Sequence, residues 1–257
     1  MEMKMSRGLS VTFSQRICQK FKNIESMDFT RSSIKKLDKN SFKDCKNLSS
    51  LILDLKMTTK IDNHTFSMNH NLRNLEISKA TSLPENIFSR QHNLETLMLV
   101  MNSAFKLPDN TFEPLKKLKR FEFKRSKITH LIIQWFQSLE SLEFLDLSWN
   151  KISQLPKDIF IPLKNLQSIT LDHNQLQIIK FDSFGVLPNL EAVSLQYNRI
   201  TAIQRLFIEK CGIKFIAMAD NGCSGETSYD NTIERSSLMF SLKLCFDNYV
   251  KVSSNDY

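Results

Sequence analysis

Nine times along this chain the apolar residues fall in the order L-x-x-L-x-L-x-x-N, in copies starting at Ile24, Leu48, Leu72, Leu94, Leu118, Leu142, Leu166, Leu190 and Ile213. The spacings are 24, 24, 22, 24, 24, 24, 24 and 23 residues. A unit this short cannot bury an apolar face alone, so copies must stack on one another into a repeat array. In the clearest copy, LEFLDLSWN at residues 142–150, Leu145 and Leu147 alternate with Asp146 and Ser148. That is the period of a short strand. Each turn is therefore expected to add one parallel strand with its leucines facing inward.

Asn150, Asn174, Asn198 and Asn221 recur where each strand should end. An amide both donates and accepts, so it can satisfy backbone groups opened as the chain bends. Earlier copies place Ser32, Lys56, Ala80 and Ser126 there, and only Asn102 keeps the pattern in that half. On the return limb a phenylalanine follows most starts by eighteen residues: Phe42, Phe66, Phe112, Phe136, Phe160 and Phe184, with Phe88 two early in its shorter repeat. Such a column reads as a core spine. Period and pattern together are those of a leucine-rich repeat solenoid. Five Gly and six Pro, with no Ser/Gly-rich run, argue against a linker before about residue 222. The division expected is 1–23 as a partial N-terminal repeat or cap remnant, 24–221 as repeats, and 222–257 as a C-terminal cysteine cap and tail.

The five cysteines are Cys18, Cys45, Cys211, Cys223 and Cys245. A helix is expected near residues 233–244, with Cys245 after it and a frayed polar tail from Val252. A Cys223–Cys245 bridge would then staple the cap over the open end of the core, and Cys18 and Cys45 offer a second bridge. Cys211 is left over as a small buried apolar residue. The alternative is five reduced cysteines in a cytosolic scaffold. Asn47 and Asn63 open sequons for glycosylation. The opening MEMKMSRGLSVTF lacks the apolar run of a secretory leader, and Leu9, Val11 and Phe13 alternate as if inside an earlier repeat, so the chain reads as a fragment. No apolar stretch approaches the roughly 18 residues of a membrane span.

Catalysis finds no support in the sequence. His64, His70, His92, His130 and His173 lie in separate repeats, without H-E-x-x-H, a phosphate loop or a nucleophile elbow. No enzyme activity, metal or cofactor is expected. The net charge of +8 raises affinity for anionic polymers, but Lys and Arg are spread over most repeats. A solvated basic surface accounts for it better than nucleic-acid binding, which is not expected.

The stretches ICQKFKNIESMDF and SFKDCKNLSSLIL, and the NGC…LKLCFDNY ending, resemble extracellular leucine-rich repeat proteins of the insect type and, more distantly, Toll-like receptor ectodomains. The resemblance covers residues 9–249. It implies an α/β fold: a curved, right-handed solenoid of about nine repeats plus a C-terminal cap, with parallel strands on the concave face. It also implies a place outside the cell or at its surface, and a role in recognition, adhesion or innate defence.

Residues eight places into each copy are expected to project from the strand face: Arg31, Leu55, Lys79, Met101, Arg125, Trp149, His173, Tyr197 and Asp220. Trp149, His173 and Tyr197 would form an aromatic stripe, with Phe144 nearby and Arg120, Lys124 and Arg125 bordering it. Aromatic and Arg residues gathered on an exposed face have the composition of an interface hot spot. A second, apolar patch is expected from Met98, Val100 and Met101 with Ile52 and Leu55. The function expected is binding of a protein ligand or partner subunit, with sulfated, anionic glycans as the alternative.

Overall fold

Each of the nine copies begins a strand two residues after its start, where the leucine alternation predicts one. The computed structural model describes residues 2–4, 10–11, 16–30, 33–34, 36–55, 59–101, 107–211, 213–223, 228–229 and 239–253. They form two units, Met1–Ser126 with Gln137–Glu140, and Lys127–Phe136 with Ser141–Tyr257. In the first, Glu2–Lys4, Ser26–Asp28, Ser50–Asp54, Asn74–Ala80, Thr96–Met101 and Arg120–Phe123 pair in parallel, in chain order. In the second, Phe144–Asp146, Ser168–Thr170, Ala192–Ser194 and Phe215–Ala217 do the same, and the last also takes Ser228–Tyr229 antiparallel. Both units carry the leucine-rich repeat solenoid fold.

The register follows from the repeat: Leu51 sits beside Leu75, and Ile169 beside Val193, all buried. Behind the strands runs the phenylalanine spine. Phe42 and Phe66 stack at 5.9 Å and Phe88 and Phe112 at 6.1 Å in the first unit. In the second, Phe136, Phe160, Phe184 and Phe207 follow at 5.9, 5.2 and 4.5 Å. Phe207 is a spine ring that counting forward from the strand missed. Every spine ring lies six residues before the next start, because tight turns fix that distance: the Phe66 carbonyl accepts the Asn69 N–H, and the Asn69 carbonyl accepts that of Leu72. The same two steps join Phe160, Leu163 and Leu166. Length variation therefore falls between strand and ring, which is why Phe88 and Phe207 come early.

Three expectations need correction. The earlier repeat contributes Glu2–Lys4 to the strand face, whereas Val11 belongs to Ser10–Val11, paired with Ser33–Ile34 on the return limb; Leu9 and Phe13 lie outside the described residues. Of the helix expected near 233–244, residues 233–238 lie outside the described residues and 239–241 are helical, and the helix Lys243–Ser253 runs on well past 244. Leu242, Cys245 and Phe246 recur at helical spacing and are buried, so Cys245 sits on the helix, not behind it. Val252 and Ser253 continue the helix, and the rest of the tail lies outside the described residues. The structure joins Cys18 to Cys45 and Cys223 to Cys245, with Cα atoms 5.0 and 5.1 Å apart. Cys211 is free and buried, and burial pushes its thiol up to about 11.

Candidate functional site

In the second unit the strand stops after three residues because an asparagine takes over the backbone. Asn174 Nδ2 donates to the carbonyls of Leu147 and Leu171, both at 3.0 Å, while its Oδ1 accepts the Ile152 N–H at 3.0 Å. Asn150, Asn198 and Asn221 bond their neighbours the same way. The residue just before each asparagine is forced into the left-handed region: Trp149 at φ 59°, His173 at 52°, Tyr197 at 54° and Asp220 at 59°. That conformation costs a non-glycine side chain about 1–2 kcal/mol. It survives because the ladder over-determines it.

The consequence is geometric. A left-handed residue breaks the in–out alternation, so position eight swings to the outside instead of following Leu147 inward. The N–H groups of Trp149, His173 and Tyr197 each bond the next repeat, to the carbonyls of Asp172, Gln196 and Ala219 at 2.9 Å. Held in that register, the three rings stack face to face. Trp149 and His173 are 3.7 Å apart between centroids with planes at 17°, and His173 and Tyr197 are 4.2 Å apart at 5°. Trp149 remains 47% and Tyr197 48% exposed. Phe144 is half-buried on the same unit, beside Ser168. Phe215, at the corresponding position of the last copy, is exposed and pairs with Ala192. The sequence reading missed it, although its offset from Ile213 equals that of Phe144 from Leu142.

The strand-face residues of the other unit are different. Leu55 and Met101 point inward and are buried, against expectation, because neither has a left-handed turn and the strands run on through Asp54 and Met101. The apolar patch therefore reduces to Ile52, Met98 and Val100, each half-buried. Lys79 and Arg125 do adopt positive φ and are exposed. Arg120 is exposed in its strand, and Lys124 pairs with Glu122 at 2.5 Å. Arg120, Lys124 and Arg125 thus belong to the first unit, and the aromatic stack to the second. Arg31 lies outside the described residues.

Asn47 is exposed, and its Nδ2 donates to the Lys22 carbonyl at 3.2 Å. Asn71, Asn93 and Asn189 repeat that bond to Lys46, His70 and Lys164. This is a second amide ladder, which the sequence reading passed over. Asn63 is exposed in a turn. Two surface cavities, about 490 Å³ near Pro156 and Lys180 and about 510 Å³ near Asn71 and Arg73, lie away from the aromatic stack in sequence and hold no cluster of catalytic groups. Among the described residues, no group of three or more His, Cys, Asp and Glu is placed to hold a metal, and no helix is long and apolar enough to cross a membrane.

The Leucine rich repeat family model matches residues 92–152 and 150–200. No curated protein matches the chain in sequence. Among solved structures, the Toll–Spatzle complex of Drosophila aligns with TM-score 0.72 and 21% identity over 86% of this chain and 30% of that one. A TLR13–ssRNA13 complex aligns with TM-score 0.63 and 22% identity, covering 88% of this chain and 37% of the other. The leucine-rich repeat domain of APL1B gives 0.59 and 19%, covering 84% and 61%. This chain thus spans less than two thirds of each, and at such identities the likeness is one of fold.

Proposed function

We propose that this chain is a non-enzymatic protein-binding module acting outside the cell or at its surface, in recognition of the kind used by receptors, adhesion proteins or innate defence. The observation that carries the reading is the exposed stack of Trp149, His173 and Tyr197, held at left-handed positions that disfavour such side chains. Strain at successive repeats, with large rings left half in water, fits a surface shaped for a partner. The likeness to Toll, whose solved structure is a complex with Spatzle, fits a protein ligand. Two disulfides fit an oxidising compartment. Repeats over 24–221, an N-terminal remnant over 1–23 and a cap over 222–257 are the division that goes with this reading. Asn63 is the better glycan acceptor, since a glycan on Asn47 competes with the bond to Lys22.

The competing reading, capture of sulfated glycans, relies on the +8 charge. RNA, which TLR13 holds in its complex, would use the same charge. Carboxylates line the aromatic face, however, and they repel both polymers. The test is binding to a partner isolated by cross-linking from extracellular fluid. Trp149→Ala should cost at least about 2 kcal/mol of affinity with the melting temperature nearly unchanged, Tyr197→Ala less, and Lys157→Ala on the return limb nothing. If Trp149→Ala unfolds the protein as much as it weakens binding, the stack is packing and the reading fails.

A further inference from the structure

The aromatic stack sits in a row of carboxylates. At the outward positions three, five, seven and eight of the four copies in the second unit, the sequence places Asp146, Asp172 and Asp220 and no lysine or arginine. Lys151 and Arg199 come only after the asparagine turn. The corresponding positions of the first unit carry five basic residues, Arg31, Lys79, Arg120, Lys124 and Arg125, against four acidic ones, Asp28, Asp54, Glu76 and Glu122. In a chain with a net charge of +8, this face is where the basic excess is missing.

The carboxylates are fixed. Asp172 Oδ1 accepts from Ser194 Oγ at 2.7 Å and from the Gln196 N–H at 2.8 Å, and Asp146 Oδ1 accepts the Ser148 N–H at 2.9 Å. Asp146 directly follows the buried strand residue Leu145, and Asp172 follows the buried Leu171 just past its strand, so their acidic heads face the side that carries the rings. Asp220 is exposed and follows Tyr197 in the row of left-handed residues, since the Tyr197 N–H bonds the carbonyl of Ala219. Ring faces attract cations through their quadrupole, most strongly when the cation is an arginine guanidinium that also stacks. Carboxylates beside those rings add charge complementarity, which sets partner choice and association rate.

We infer that the segment this face receives is basic: an arginine- or lysine-bearing stretch of a protein partner, its cationic side chains lying against Trp149 and Tyr197 and paired with Asp220 and Asp172. This rests on the protein-binding reading and deepens it. An acidic segment would meet repulsion from Asp172 and Asp220, and a neutral one would desolvate those two carboxylates without bringing them a counter-charge.

Trp149 reports directly, because the other tryptophan, Trp135, is buried. In low salt, caesium should quench the accessible fluorescence more effectively relative to iodide, by about threefold, than it does for free N-acetyltryptophanamide. Trp149→Phe should remove that fraction. An octapeptide alternating arginine and glycine should perturb Trp149, and its glutamate counterpart should not. Asp220→Lys should weaken the arginine peptide by about threefold or more. Lysine is tolerated there, as Lys79 adopts φ 63° in its own repeat, and near-UV circular dichroism will show whether the stack is intact. A caesium-to-iodide quenching ratio no higher than that of free N-acetyltryptophanamide, equal responses to the two peptides, or no response to either overturns the inference. If a natural partner is lost with Trp149→Ala but indifferent to Asp220→Lys, the basic segment falls and the aromatic anchor stands. Indifference to Trp149→Ala sinks the anchor itself.

Discussion

The two units share a spine and differ at the end of the strand. In the second, four consecutive asparagines end four strands of three residues each, and the residue before each asparagine turns out to solvent. In the first, the strands run to five, seven and six residues; the sequence has Lys56 and Ala80 at two of the asparagine positions, and Asn102, at the third, lies outside the described residues. There Leu55 and Met101 continue inward as ordinary strand residues. The first unit keeps its buried amides on the return limb instead. Asn69 Nδ2 bonds the carbonyls of Phe42 and Cys45, and Gln91 Nε2 that of Phe66. Moving the amide from strand end to return limb leaves the core intact and changes what the strand face displays. The repeat thus treats stability and surface as separable: the leucines and phenylalanines fix one, and the asparagine turn fixes the other.

The sharpest break between the units is a single substitution at the same repeat position. Leu55→Gly removes a fully buried side chain and should cost at least about 3–5 kcal/mol, lowering the denaturant midpoint steeply. Trp149→Gly removes a half-exposed ring from a backbone conformation that glycine adopts freely, so stability should stay within about 1 kcal/mol of the parent. Equal losses at the two sites would mean that the left-handed turn does not separate surface from core.

Next in size is the ladder. Asn174→Ala leaves the Ile152 N–H and the carbonyls of Leu147 and Leu171 without their side-chain partner, at about 1–3 kcal/mol for each buried group not rescued by water. It should also release His173 from its stacked position, which near-UV circular dichroism would detect as lost aromatic coupling. Ser126→Ala in the first unit removes a hydroxyl that bonds the Met101 N–H and the Lys124 carbonyl and should cost less. If Asn174→Ala lowers stability but leaves the aromatic signal whole, the rings hold themselves.

Most of the fold was legible because leucine spacing dictates it: nine starts, nine strands and the phenylalanine column all follow from period and alternation. What could not be read was the conformation at position eight. Leu55, Met101, Trp149 and Tyr197 share that position, and only the backbone φ decides which of them turn outward. The asparagine one residue later marks the four outward turns of the second unit, but Asn102 follows the buried Met101, and Lys79 and Arg125 turn left-handed ahead of Ala80 and Ser126, so no single neighbouring residue carried the signal. The C-terminal extent of the cap helix, to Ser253, was hidden for a similar reason. Its buried stripe of Leu242, Cys245 and Phe246 is set by tertiary docking, including the bond from Asn248 Nδ2 to the Thr201 carbonyl, which a single-helix pattern does not reveal. The aromatic stripe was legible as composition; its stacking and its fixed carboxylates required coordinates.

The smallest expected effect concerns charge on the first unit's face, where Glu95 bonds Arg73 and pairs with Lys119 at 3.6 Å. The Arg73 hydrogen bond is the main cause that holds the Glu95 carboxyl below its ordinary value of 4.5, with desolvation opposing and Lys119 assisting. A depressed folded-state pKa means that the folded protein binds its proton less readily than the unfolded chain. The stabilisation is therefore fully present above the unfolded value and is lost as pH falls through the folded one. The groups are exposed and screened, so it should amount to no more than about 0.5 kcal/mol. Denaturant midpoints of the parent and Glu95→Gln should differ slightly at pH 7, converge on acidification below 4.5, and converge at neutral pH in high salt. The second unit has its counterpart in Glu191 and Lys214, bonded at 2.5 Å, while Asp146 and Asp172 accept from backbone N–H groups and Asp172 also from the Ser194 hydroxyl. A pH-independent difference between parent and Glu95→Gln would show that the glutamate acts through packing, and the ion pairs of the first unit's face would lose their electrostatic role.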